Sequence, residues 1–499
     1  MNIDKPKILF VLLDNYKSER LGIQILAAIA LEEGYDRELI ILNKISNSSA
    51  LEKAQRFQPH VVAYSAMTFE QIHLQAYNRR LKESGLRFLS IFGGHHYTFN
   101  PEEIEKDTGI DVICRGEGEI AFRSFLQAVR NNQQYHQIPN LWVRNDNKII
   151  KNPLGALIHN LDESPFPDRD LLPPIYIFEK SQIYGKSTTI MFGRGCPYQC
   201  TYCFNSSWNS LYKNDRILRC RSVDNMIREL KLLADRFDPE LFYFWDDDFS
   251  LLPKKTIAEF CRRYKKEIKR PFSIHLNAAR VDEDLIKLLK ETGLSIATMS
   301  IECGDEHVAH TLLKRDFNNN KKIIEGFQLL NRYNIINYSQ NILCLPVENP
   351  LEVDLTTIRM NIRCKPTVAH YFILLPFPKT PIWRYAIEHG YLYPDALLDP
   401  KKIPSAYTTS FLNYRNSTIQ NRANNLHKFA SLLTKFPVLF PLVKILIKLP
   451  PNRLFQYIFF IWYGYCNAGG LFHTRITPKL IIEGLRGIRQ YLRGRSAEN

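Results

Sequence analysis

At 499 residues, with 45% apolar and 23% charged residues, the chain has room for two or three domains with cores of their own, and this balance excludes wholesale disorder. Ten cysteines over that length exclude a disulfide scaffold, and three of them crowded into one short stretch suit a metal site in a reducing compartment. The net charge of +15 is uneven: in residues 415–499 thirteen Lys and Arg face two Glu, so the excess marks one segment and not a nucleic-acid-binding surface over the whole molecule.

The N-terminus, MNIDKPKILFVLLD, runs straight into an apolar, strand-like segment. It lacks the charged start, longer apolar region and cleavage site of a signal peptide, so a cytoplasmic location is expected. Over residues 1–145, apolar runs at 7–13, 38–43, 61–66, 88–94 and 112–116 read as buried parallel strands, with helical spacing at 21–33 and 70–84. Such alternation predicts a doubly wound α/β sheet whose ligands sit at the carboxyl ends of the strands. The loops at those ends carry Ser65, then Gly93, Gly94, His95 and His96, then Gly116, Glu117 and Gly118. Paired glycines let backbone approach a ligand closely, although ordinary turn chemistry explains each pair alone.

Residues 141–144 and 148–151 predict a hairpin around the turn-prone triplet Asn145-Asp146-Asn147, and LDESPFPDRDLLPP reads as an extended connector, so residues 146–182 form a linker with a hairpin. Residues 183–400 hold six further strand-like runs, at 188–195, 241–248, 273–279, 296–303, 336–346 and 370–378. Helical patterns at 226–237, 256–269, 284–292, 321–334 and 351–363 separate them. Six βα units predict an open partial barrel, with chemistry at the carboxyl ends of its strands.

The first of these strands runs into GRGCPYQCTYCFN, residues 193–205, which spaces Cys196, Cys200 and Cys203 as C-x3-C-x2-C with Tyr202 before the last. Three thiolates on one loop suit three irons of a cubane and leave the fourth open, whereas electron-transfer clusters take four cysteines. A structural zinc loop needs a fourth ligand, and only the distant Cys220 is on offer. The remaining cysteines show no mutual ligand spacing and read as buried small residues, with Cys303 and Cys344, near strand ends, the two worth testing for catalysis.

The cysteine stretch resembles the signature of the radical S-adenosylmethionine (radical SAM) superfamily. FGGHHYTFNPEE, DVICRGEGE and ERLGIQILAAIALEEGYD resemble the cobalamin-binding domain found ahead of many radical SAM domains. The resemblance implies a [4Fe-4S] cluster on the three cysteines, SAM on its open iron, and cobalamin near Ser65, Gly93, Gly94, His95, Gly116 and Glu117. It implies a 5′-deoxyadenosyl radical that abstracts hydrogen, followed by methyl transfer to carbon or phosphorus, with a cobalamin-assisted cyclisation or oxidation as the alternative. A non-catalytic cobalamin- or membrane-binding protein is the reading from outside enzymes, and the intact cysteine trio opposes it. An electron donor such as flavodoxin or ferredoxin is implied as a partner.

Three departures from the family pattern stand out. Residues 14–22 contain no His, so the D-x-H-x-x-G motif that supplies a cobalt ligand elsewhere is absent. The Gly-Gly-Glu element that receives the SAM amino group is replaced by Asp246-Asp247-Asp248, of which Asp246 and Asp247 are candidate stand-ins and Asp248 a helix cap. Val347 and Lys379 stand where glycine is common. Glu302, in SIECGDE, falls where relatives place a polar residue on the SAM ribose, and a carboxylate accepts two hydroxyls there; a mouth ion pair with Arg280, itself a candidate for a substrate or SAM carboxylate, is the alternative.

Residues 401–499 predict a basic, aromatic, mainly helical region. FPVLFPLVKILIKL and LFQYIFFIWYGYC fall short of the ~20 apolar residues of a spanning helix. Lys and Arg among aromatics fit either a segment at the headgroups of an anionic membrane or a helical cap lining the site of a small-molecule or lipid-like substrate. Nucleic acid is not expected, since no RNA-binding motif accompanies the charge.

Overall fold

The computed structural model describes residues 5–13, 19–42, 47–173, 187–393 and 407–466. They fall into two compact units, one of residues 1–178 with 214–216 and one of residues 179–213 with 217–499. The first is built on β1 (Lys7–Leu12), KILFVL, buried at every position after Lys7 as expected for a strand covered on both faces. It pairs in parallel with β2 (Asp36–Ile41) and β3 (Val61–Ser65), and the sheet continues in parallel through β4 (Leu89–Gly93) and β5 (Val112–Cys114). The resulting order, β2-β1-β3-β4-β5, is the flavodoxin-like winding that leaves a ligand crevice at the carboxyl ends.

The hairpin expected in the linker is instead the continuation of this sheet. β6 (Leu141–Asn145) pairs antiparallel with β5, and β7 (Lys148–Lys151) with β6. Leu141 and Val143 are fully buried in the domain core, which is why a strand of mixed pattern docks there. The connector that follows is also strapped to this unit. The Asp168 amide donates to the Gln24 carbonyl (2.9 Å), Arg37 pairs with the Asp168 carboxylate, and Arg169 pairs with Glu19 at 2.6 Å with both side chains buried.

In the second unit six parallel strands stand in the order β8 (Ser187–Ile190), β11 (Leu241–Phe244), β12 (Phe272–Leu276), β13 (Leu294–Glu302), β14 (Ile336–Leu343) and β15 (Val368–Ile373). Phe242, Phe244, Phe272, Ile274, Ala297, Met299 and Ile301 form one face, packed against helices Val223–Phe237, Lys254–Glu267, Glu283–Thr292 and Asn320–Arg332. Phe244 meets Phe249, Phe260 and Phe272 edge to face at 5.7, 5.5 and 5.8 Å. The period of two turns Tyr243, His275, Ser300, Glu302, Tyr338, Gln340, His370 and Phe372 to the other, concave face. On the helix side of β14, Ser339 and Asn341 are polar yet satisfied: Ser339 donates to Asn361 (2.6 Å), whose amide donates back to Asn341 (2.7 Å).

The predicted strand over 188–195 is interrupted. After Ile190 the chain leaves the ladder and forms β9 (Gly193–Arg194), paired antiparallel with β10 (Arg219–Cys220). There the Asp246 carboxylate accepts the amides of Phe192 (3.2 Å) and Gly193 (2.5 Å), so the Phe192 amide does not extend the ladder to β11.

The other edge strand, β15, is covered by helix Ser417–Lys435, whose Ala423, Leu426, Phe429 and Ala430 pack with Ala369, Tyr371 and Ile373. Two helices follow, Phe440–Leu446 and Arg453–Tyr465. Prolines split the apolar stretches of this region into these short pieces, and no helix of the described residues is long and apolar enough to cross a membrane. Residues 467–499 of the predicted tail, like residues 14–18 of the loop lacking histidine, lie outside the described residues.

Removing one partner of a buried ion pair leaves an uncompensated charge, at a cost of about 3–5 kcal/mol. Glu19→Ala is therefore expected to lower the stability of the first unit by that amount in urea unfolding, and to open the connector to limited proteolysis. A change below ~1 kcal/mol would refute the strap.

Candidate active site

The cysteine loop begins where Asp246 ends β8. Gly195 lies at φ +94°, and a Cβ there would stand 2.2 Å from the Ile217 carbonyl oxygen, so only glycine fits the turn. Beyond the turn, the Asn209 amide donates to the Cys196 carbonyl (2.8 Å), and Thr201 is tied to 312–313 by its amide on the Leu313 carbonyl (3.2 Å) and its hydroxyl on the Leu312 carbonyl (2.8 Å). Cys203 caps helix Phe204–Leu211, its sulfur accepting the Asn205 amide at 3.4 Å. A helix N-terminus favours a thiolate. Burial works the other way, raising the Cys196 and Cys200 thiols and pushing Cys203 up to about 12. All three cysteines are free of disulfides. Among the described residues no three His, Cys or carboxylate side chains converge to the spacing of a single ion. The trio's fit to a cluster therefore rests on its donor chemistry and on the tied loop that carries it.

Around this loop the structure gathers some of the predicted residues and sends others elsewhere. Tyr202 and Glu302 come together. Glu302 ends β13 at a bulge, with φ +62°, and its carboxyl is raised by burial and held back by the nearby Arg315 charge and by hydrogen bonds with Ser300 and Tyr202. Arg315 escaped the sequence reading. It is buried, donates to the Tyr202 hydroxyl (3.0 Å) and the Ser300 carbonyl (3.1 Å), and lies 5.1 Å from the Phe317 ring. Its charge also acts on Cys200. The cation beside Glu302 is thus Arg315, not Arg280.

Arg280 instead donates to the Ser250 carbonyl (2.9 Å) and hydrogen-bonds Tyr198 within the cysteine loop. Tyr198 in turn stacks on Phe317 at 3.8 Å. The three aspartates diverge. Asp246 is buried beneath the loop, pushed up to about 7 by desolvation against its two backbone donors. Asp248 caps the short turn Phe249–Leu251 as expected, accepting the Ser250 amide (2.9 Å), and burial lifts it to about 6. Asp247 is exposed, accepts the Asn205 side-chain amide (2.8 Å), and its charge reaches Cys196 and Cys203. Lys379 has φ +69°, in the left-handed region that favours glycine.

Cys303 and Cys344 are both buried. Burial pushes Cys303 up to about 12, and Cys344 is enclosed by Asp354, which accepts its amide (3.0 Å), and Tyr414, which donates to its carbonyl (2.6 Å).

The concave face is aromatic toward its β15 side. His370 is buried there with neither ring nitrogen hydrogen-bonded, among Tyr338, Phe372, Tyr407 and Tyr463 at centroid distances of 5.4, 4.1, 5.6 and 4.7 Å. Desolvation takes its imidazole down to about 3, so it is neutral. Tyr407 and Tyr463 come from the C-terminal region, which therefore contributes aromatics to the barrel.

In the first unit the loops after β3, β4 and β5 converge. Gly94 has φ +92°, and a Cβ would come within 2.7 Å of the Ala66 carbonyl and 3.0 Å of Ser65 Oγ. Thr98, which the sequence did not single out, joins the fourth loop to the fifth: its hydroxyl donates to the Gly94 carbonyl (3.0 Å) and accepts the Gly116 amide (3.1 Å). Gly93, Gly94, Gly116 and Ser65 thus form a ledge of backbone and small side chains, which a flat macrocycle can approach. In the fifth loop the Glu117 carboxylate accepts the Ile158 amide (2.9 Å). His95 is exposed at the start of helix His95–Phe99, while His96 is buried and lowered to about 4.

Residues 190–357 match the Radical SAM superfamily and residues 13–126 the B12 binding domain. The chain is 26% identical to an uncharacterized methyltransferase of Pyrococcus horikoshii, over 74% of this chain and 79% of that protein. It is also 26% identical to the anaerobic magnesium-protoporphyrin IX monomethyl ester cyclase of Cereibacter sphaeroides, over 68% of this chain but 55% of that enzyme. Among solved structures, the cobalamin-dependent S-adenosylmethionine radical enzyme OxsB with aqua-cobalamin and S-adenosylmethionine bound aligns with a TM-score of 0.69, over 99% of this chain and 76% of its own. At 16% identity that likeness speaks for the fold alone.

Left-handed backbone costs a non-glycine residue about 1–2 kcal/mol, and the overlap at Ile217 adds to it. Gly195→Ala is expected to lower the melting temperature and to reduce iron and sulfide uptake on anaerobic reconstitution, with the circular dichroism of the fold retained. Uptake equal to wild type would show that the turn does not set the loop.

Proposed function

We propose that this protein, a radical SAM enzyme carrying a B12-binding domain, transfers a methyl group to an unactivated carbon or a phosphorus atom of an apolar, ring-bearing or lipid-like substrate. The observation that carries the reading is the aromatic concave face, from Tyr338 and Phe372 to Tyr407 and Tyr463, on the same barrel whose first strand runs into the cysteine loop. The two domains imply a [4Fe-4S] cluster, SAM and cobalamin. When bound, these supply reductive cleavage of SAM to a hydrogen-abstracting radical and a transferable methyl group.

The chain's own residues would do the following. Cys196, Cys200 and Cys203 would hold the cluster. Tyr202 and Glu302 would face SAM, with Arg315 behind them as the positioning residue that fixes the Tyr202 hydroxyl and whose charge opposes the rise that burial gives the Glu302 carboxyl. Asp247 is the aspartate left open to a ligand amine, since Asp246 is engaged by backbone amides. Arg280 would hold the loop through Tyr198. Ser65, Gly93, Gly94 and Gly116 would carry the corrin, with exposed His95 at its margin. The aromatic face would exclude water from the radical and orient a flat or aliphatic substrate, and His370 would offer it one neutral hydrogen-bonding group.

Such an enzyme acts on a substrate and needs a reductant; a flavodoxin or ferredoxin in the cytoplasm would serve. Likeness to the C. sphaeroides cyclase supports a second reading, a cobalamin-assisted cyclisation or oxidation.

Replacing Cys196, Cys200 and Cys203 together by Ala is expected to remove the cluster's visible absorbance and the release of 5′-deoxyadenosine from SAM with reductant; persistence of either sinks the assignment. Protein purified after growth with cobalamin should show a corrin spectrum, and its clean absence under saturating supply would move the reading to cobalamin-free chemistry. Metabolite comparison of the host with and without the gene separates methylation, read as a mass difference of one methyl group, from cyclisation.

A further inference from the structure

Eight of the fifteen exposed large apolar side chains described lie within residues 436–465: Phe436, Val438, Leu442, Ile445, Leu449, Leu454, Ile461 and Tyr465. Four of these, Val438, Leu442, Ile445 and Leu449, recur at the spacing of one helical face. The short helix Phe440–Leu446 and its flanks are already anchored by the opposite face, where Val443 and Ile447 are buried in the cluster formed with helix Ser417–Lys435. The outward stripe is therefore a second apolar face, exposed by 81% at Val438 and 63% at Ile445. A fold that needed this segment only as a cover would place polar residues there.

The stretch of sequence that carries the stripe is basic. Lys435, Lys444, Lys448 and Arg453 are all exposed and flank it, and no acidic residue occurs between Asp399 and Glu483. That charge selects among occupants. A second copy of the chain would bring the same basic rim against itself, which like-charge repulsion opposes. The residues after 466 are no better suited, with six Lys and Arg against two Glu. The complement is a surface that is anionic at its boundary and apolar just beneath.

We propose that residues 436–454 dock the protein on an anionic lipid bilayer, with Val438, Leu442, Ile445 and Leu449 entering the acyl boundary and Lys435, Lys444, Lys448 and Arg453 meeting the phosphate headgroups. Each basic residue near such a surface adds attraction that salt screens, and the aliphatic stripe adds the burial term. Trp462, half-buried beside this segment, has the character of an interfacial anchor. The inference deepens the proposal of an apolar substrate by placing the enzyme where such molecules reside, but it stands on surface residues alone.

The full-length protein is mixed with vesicles of phosphatidylcholine containing phosphatidylglycerol, or of phosphatidylcholine alone, and the bound fraction is read by flotation. Binding is expected to the anionic vesicles, to weaken as salt rises, and to fall tenfold or more in Leu442→Asp/Ile445→Asp and in Lys444→Glu/Lys448→Glu. These exposed positions should leave the melting temperature and SAM cleavage unchanged, so loss of docking is distinguishable from loss of the catalytic reading. Equal binding to neutral vesicles, no binding at all, or wild-type binding by the Asp pair would overturn the proposal. So would a dimer in sedimentation velocity that the Asp pair dissolves, because the stripe would then belong to a second copy.

Discussion

The Asp246 carboxylate accepts two amides in succession, those of Phe192 and Gly193. In a continued parallel ladder the Phe192 amide would have paired with β11. A buried carboxylate is costly unless its oxygens are met, and desolvation here drives Asp246 up to about 7 in spite of both donors. What the arrangement secures is a fixed exit: the strand stops after Ile190 and the chain passes through β9 to the Gly195 turn, from which the cysteines are hung. The loop's geometry is thus set by a group on the neighbouring strand. The adjacent Asp247 and Asp248 serve other ends, one open to solvent and one spent on a cap.

A second constraint follows from the cysteine loop's position over the end of β13. Arg315 is buried, so its guanidinium must find acceptors, and it finds the Tyr202 hydroxyl and the Ser300 carbonyl. Ser300 lies in the bulge that turns Glu302 to positive φ. One cation thereby couples the aromatic residue of the cysteine motif to the carboxylate at the strand end. Backbone strain at Glu302 costs of order 1–3 kcal/mol and persists where surrounding contacts over-determine it, as this cluster does.

Much of this was legible in the chain. The strand runs needed no context because parallel strands buried on both faces read as apolar blocks, and the cysteines were legible because a metal loop fixes spacing. Arg315 was not, since it lies 113 residues from Tyr202 and nothing in LLKRDFN marks that arginine as buried. The bond from the Ile158 amide to the Glu117 carboxylate spans 41 residues, and sequence neighbours do not betray it. Thr98 was silent for the same reason. The hairpin was found, but its place in the sheet depends on Leu141 and Val143 reaching a core that the local pattern does not specify.

The C-terminal region answers a problem that the open barrel creates. Six strands do not close, so β15 would present an unpaired edge. Helix Ser417–Lys435 covers it, with the Tyr371 carbonyl bonded by His427 (3.0 Å) and the Tyr371 hydroxyl by Thr434 (2.6 Å). Helix Arg453–Tyr465 then packs on that cover and delivers Tyr463 to His370. Covering the edge and lining the concave face are thus one act of packing. They require apolar residues on one side of each helix, which accounts for Phe429, Phe455 and Phe459. They do not require Leu442 or Ile445, which point away from everything the barrel needs. An apolar residue that the fold does not use, beside lysines that no acid in that stretch of sequence neutralises, calls for an explanation outside the fold.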